Sequence, residues 1–83
     1  MTLQIVVEIV GWIGAGMILV AYLLLSAGRL EARSTIYQGL NLFGAIAFVI
    51  NSGWNGAIPS AALNVIWAAI ALFALVRMAQ ARS

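Results

Sequence analysis

Tyr37-Gln38-Gly39-Leu40-Asn41-Leu42-Phe43-Gly44-Ala45-Ile46-Ala47-Phe48-Val49-Ile50-Asn51 is the stretch that decides how this chain is read. The run is mostly apolar and of helical length, yet Tyr37, Asn41, Gly44, Phe48 and Asn51 recur at steps of 4, 3, 4 and 3. On an α-helix those steps place all five on one face. An amide without a partner in hydrocarbon is costly, so two asparagines on that face need protein or water in front of them. The spacing predicts a membrane-spanning helix whose polar stripe looks at another helix or into a watery cavity.

Composition supports the membrane reading. Hydrophobic residues make up 65% of the chain and charged residues 7%, and the mean hydropathy is +1.11. A soluble domain carries about 25% charged residues, and this chain is far below that. Four arginines stand against Glu8 and Glu31, too few to form the clustered basic face of a nucleic-acid binder. Cysteine, histidine and lysine are absent. That removes disulfide and thiol chemistry and any Schiff base, and it argues against a transition-metal site. With no carboxylate pair in one place, the chain reads as a non-enzyme with no metal and no cofactor.

Working outward, the first segment runs from about residue 3 to 27. Between Glu8 and Arg29 the chain is apolar except for the hydroxyls of Tyr22 and Ser26 and the Trp12 indole. That length, roughly twenty residues, crosses a hydrocarbon layer of about 30 Å. The start Met-Thr-Leu-Gln has no basic region of the kind that opens a signal peptide, and the apolar run is longer than one. Gly28 suits a helix end, and Arg29-Leu30-Glu31-Ala32-Arg33 forms a short charged connector. Thr35-Ile36-Tyr37-Gln38 matches a capping box with Thr35 as the cap, opening a second segment over about 35–52. Asn51-Ser52-Gly53-Trp54-Asn55-Gly56 is dense in turn formers. Pro59 then suits the start of a third helix, over about 59–78.

The expected fold is all-α, a single transmembrane domain over 1–83 built as a three-helix bundle with antiparallel neighbours. Arg29 and Arg33 lie in the first connector, while Arg77 and Arg82 follow the third apolar run. All four therefore fall on one side, which the positive-inside rule assigns to the cytoplasm. The amino terminus is expected outside and the carboxyl terminus inside. Trp12 and Trp54 then fall at the outer interface, and Tyr22 and Tyr37 at the inner one, as an aromatic belt.

Each helix offers a stripe of small, polar and aromatic residues: Glu8, Gly11, Ala15, Ile18 and Tyr22 on the first, and Ser60, Asn64, Trp67, Ala68 and Ala71 on the third. Small residues in such stripes let helices pack closely. Buried amides in a membrane also mark solute or ion paths, which makes Asn64 and Asn41 candidate pocket residues. Trp67 is either core or a stacking surface for a ring. Glu8 is either a solvated anion at headgroup level or a cavity carboxylate able to carry protons. The arginines set orientation and meet anionic lipid heads. Gly11-x-x-Gly14-x-Gly16 has no preceding strand and is not read as a nucleotide site.

Arg33-Ser34-Thr35, Tyr37-Gln38-x-x-Asn41-x-x-Gly44 and Pro59-Ser60-x-x-x-Asn64-x-x-Trp67 together resemble a family of small uncharacterised bacterial inner-membrane proteins labelled permease or transporter. More distantly the chain is similar to the SemiSWEET and PQ-loop half-transporters, which act as homodimers. That resemblance implies that Asn64 faces substrate, with Phe48, sixteen positions earlier, where the group usually has Trp. The group's Pro-Gln hinge motif is missing, and Leu23-Leu24-Leu25 occupies that region. The expectation is a three-span inner-membrane half-transporter that moves a small polar solute by alternating access as a homodimer. Asn64, Phe48, Asn41, Trp67, Tyr37 and Asn51 would line its path. The alternative is an accessory subunit that packs against another membrane protein.

Overall fold

A computed structural model describes residues 2–82. They form three helices: α1 (Leu3–Ser26), α2 (Thr35–Trp54) and α3 (Ile58–Arg82). α1 starts where the Thr2 hydroxyl accepts the Ile5 amide at 3.3 Å. It stops at Gly28, whose φ of 76° reverses the chain. There the Gly28 and Arg29 amides donate to the Leu25 and Leu24 carbonyls at 3.1 and 2.8 Å, the closure that a left-handed glycine permits.

The start of α2 differs from the expected capping box. Ser34 rather than Thr35 is the cap, its hydroxyl accepting the Tyr37 amide at 3.0 Å. Gln38 reaches past the cap and donates to the Ala32 carbonyl at 2.8 Å. α2 also continues beyond Ser52 to Trp54. Gly53 stays helical, and the true stop is Gly56 with φ 75°, closed by the Ala57 amide on the Ser52 carbonyl at 2.8 Å. Pro59 is the second residue of α3, in the first turn, where no intrahelical partner for an N–H exists. α3 continues past residue 78 to Arg82, whose side chain lies outside the described residues.

α2 packs against both other helices, while the backbones of α1 and α3 stay more than 8 Å apart, Cα to Cα. The bundle is therefore a bent layer with α2 in the middle. α2 buries Asn41, Gly44, Ala45, Ala47 and Ser52. α1 buries Val7, Gly11, Gly14 and Ala21, and Ala71 is the buried residue of α3. Contact on α1 shares Gly11 and Ile18 with the expected stripe, but Val7, Gly14 and Ala21 are buried in place of Glu8, Ala15 and Tyr22.

The reason is how closely the two backbones approach. A Cβ at Gly14 would lie 2.7 Å from the Ala47 Cβ and 3.0 Å from the Gly44 carbonyl oxygen. One at Gly44 would lie 2.6 Å from Ile18 Cγ1, and one at Gly11 would lie 2.5 Å from the Asn51 amide nitrogen. At Gly14 an added carbon runs into Ala47 and the α2 backbone, and at Gly11 and Gly44 the Asn51 and Ile18 side chains would have to move, a closeness like that of helix crossings in membrane proteins. The α2–α3 seam is different. The Trp67 indole N–H donates to Asn41 Oδ1 at 3.1 Å, and the Ser52 and Ser60 hydroxyls share a hydrogen bond of 2.9 Å.

α1 and α3 are long and apolar enough to cross a membrane, with mean hydropathies of 2.1 and 2.0 over spans of which only 11% and 6% is buried inside the molecule. Trp12, Leu63 and Phe73 are among many large apolar side chains left mostly uncovered. α2 is shorter and more polar, with Gln38, Asn41, Asn51 and Ser52, and it is the helix the other two cover.

Candidate functional site

α2 has two packing faces because it has two neighbours. Gly44, Ala47 and Asn51 meet α1, while Asn41 and Ser52 bond to α3. By helical spacing Phe48 points between those faces. It projects into the gap left by the separation of α1 and α3, and forms the floor of an open trough.

Two hollows in that trough share Phe48. The first, about 390 Å³, is lined by Glu8, Trp12 and Ala15 of α1 with Asn51 of α2 and Asn55 just past its end. The second, about 270 Å³, lies between Ile18 of α1 and Ser60, Leu63, Asn64 and Trp67 of α3. Trp67 also walls a smaller hollow of about 150 Å³ with Tyr37, Gln38 and Asn41. All six residues expected to line a path thus border this chain of hollows. Phe48, Asn64 and Trp67 meet directly in the second; Asn51 belongs to the first, and Tyr37 and Asn41 to the third.

The amides within it are used differently. Asn41 is 6% exposed and fully engaged, accepting from Trp67 and donating to the Tyr37 carbonyl at 2.9 Å. Asn51 donates to the Val7 carbonyl at 3.0 Å and so ties α2 to α1. Asn64 donates to the Ser60 carbonyl of its own helix at 2.9 Å. Its Oδ1 accepts no hydrogen bond among the described residues, which leaves one acceptor open on the trough wall. Trp67 keeps 47% of its surface exposed, so the ring is available after its N–H is taken.

Glu8 stands exposed at the rim of the first hollow, reached by Gln4 Nε2 at 3.4 Å. Gln4 also donates to Asn55 Oδ1 at 3.3 Å and accepts the Trp54 indole N–H at 2.9 Å, lashing the start of α1 to the end of α2. Sequence reasoning passed over Gln4, Ser52 and Asn55. Their signal was faint, since each stands in a stretch read as a terminus or a turn. Among the described residues no group of acidic, histidine or cysteine side chains could hold a metal ion.

A protein-family model matches residues 7–82, and the chain belongs to that uncharacterised family. No curated protein and no solved structure matches it significantly.

Proposed function

We propose that this chain is a three-span inner-membrane half-transporter, extracellular at its amino terminus and cytoplasmic at its carboxyl terminus. The molecule is 43 Å long, the thickness of a bilayer with its headgroups. Its connectors gather Arg29 and Arg33 at one end and place the Asn55–Ala57 turn at the other, which supports the orientation. A single copy holds only an open trough. Two copies around a two-fold axis would face their troughs together and enclose a path. A small polar solute would then hydrogen-bond the Asn64 Oδ1 atoms and pack on Phe48 and Trp67, and access would alternate by rocking of the protomers.

The observation that carries this reading is the open Asn64 acceptor above Phe48 in a trough walled by two helices whose backbones stay apart. Its test is uptake of a panel of small polar metabolites into proteoliposomes. Wild type should move at least one solute, and Asn64→Leu should slow that flux about tenfold, the value of one lost hydrogen bond of about 1.4 kcal/mol. No flux for any solute from intact dimers would end the proposal.

One observation favours the accessory-subunit reading: Asn41 and Asn51 both spend their amides on bonds between helices. In that case a mild-detergent pull-down returns a stoichiometric foreign partner and no self-dimer.

A further inference from the structure

We infer that the hollow between the first connector and the end of α3 is a binding site for the phosphate of an anionic phospholipid. It measures about 600 Å³, and Arg33 and Arg77 line it together with Phe73, Ala74, Met78 and Ala81. Two arginine side chains thus line one cavity whose wall is mostly apolar. Among the described residues neither arginine forms an ion pair; of the two acidic side chains, Glu8 is at the opposite end and Glu31, in the same connector as Arg33, is not among the residues that line the hollow. A paired, planar, permanently charged donor set of this kind matches phosphate oxygens.

The site is held in shape. Arg77 lies over the Phe73 ring, 5.7 Å from its centroid, a cation–π contact that steadies the guanidinium. Arg33 precedes the Ser34 cap, and the Gln38 bond to Ala32 fixes the connector from the other side. Depth matches as well. Arg77 is nineteen residues along α3 from Ile58, about 29 Å at the helical rise, which is the edge of a hydrocarbon core of about 30 Å. There the arginines meet headgroup phosphate while Phe73 and Met78 meet the upper acyl chain. A soluble phosphate would have no use for that apolar wall. The inference rests on the membrane placement and not on transport.

The test is native mass spectrometry of protein taken into mild detergent from vesicles of phosphatidylglycerol and phosphatidylcholine in equal parts. Wild type should retain a single phosphatidylglycerol per chain. Arg33→Gln with Arg77→Gln should lower that retention about tenfold or more, while Arg29→Gln, which removes a surface charge outside the hollow, should lower it about twofold at most. Ala74→Leu fills the hollow without altering a charge and should also lower retention, which decides the matter if the double variant loses its helical circular dichroism. Equal loss in Arg29→Gln, or no preference for phosphatidylglycerol, overturns the site. Thermal stabilisation of delipidated protein by inorganic phosphate, lost in the double variant, would assign the arginines to a free anion and overturn the lipid.

Discussion

The two seams of this molecule are built from different physics on the same central helix. Between α1 and α2 the helices touch through Gly11, Gly14 and Gly44, most tightly at Gly14, where an added carbon would meet the Ala47 Cβ and the Gly44 carbonyl. Between α2 and α3 they are joined by hydrogen bonds, Trp67 to Asn41 and Ser52 to Ser60. The glycine seam is intolerant of growth, and the Asn51 amide on the Val7 carbonyl is its polar tie. A hydrogen-bonded seam tolerates modest changes of volume but not the loss of one partner alone.

The largest effect should come from overfilling the glycine seam. Gly14→Leu should destabilise the bundle by about 3 kcal/mol, the upper range for overpacking, in SDS unfolding followed by tryptophan fluorescence. Gly16→Leu, two positions on and with nothing within 4 Å of an added Cβ, should be near neutral; equal losses would show that the seam is not where the backbones meet. On the other side, Trp67→Phe strands the buried Asn41 carbonyl and should cost about 1–2 kcal/mol in the same assay. Adding Asn41→Leu should recover most of that loss, whereas simple additivity would deny the pair its coupling. Smallest should be Ser52→Ala, about 0.5 kcal/mol, the order measured for hydrogen bonds between membrane helices.

Much of this was legible beforehand. The stripe from Tyr37 to Asn51 is real, because 3.6-residue periodicity shows which side chains share a face. It does not show how many neighbours that face divides between. Asn51 turned to α1 and Asn41 to α3, and Phe48 fell between them. Ala45, at 0% exposure, and Ala47 were unreadable because alanine in an apolar run carries no periodic signal. Ser34 and Thr35 are adjacent hydroxyls, and the choice between them was settled by Gln38, which is engaged elsewhere. The end of α2 was misread because Asn-Ser-Gly resembles a turn, whereas only Gly56 takes the left-handed backbone that stops the helix.

The separation of α1 from α3 has a mechanical consequence. Two leaves hung on one post can swing singly, since moving either disturbs only its own hinge line. The leaf on the glycine line must roll as a rigid plate, for there is no slack to slide in. The leaf on the hydrogen-bonded line can slip and re-latch, so motion in this molecule should be sought first in α3.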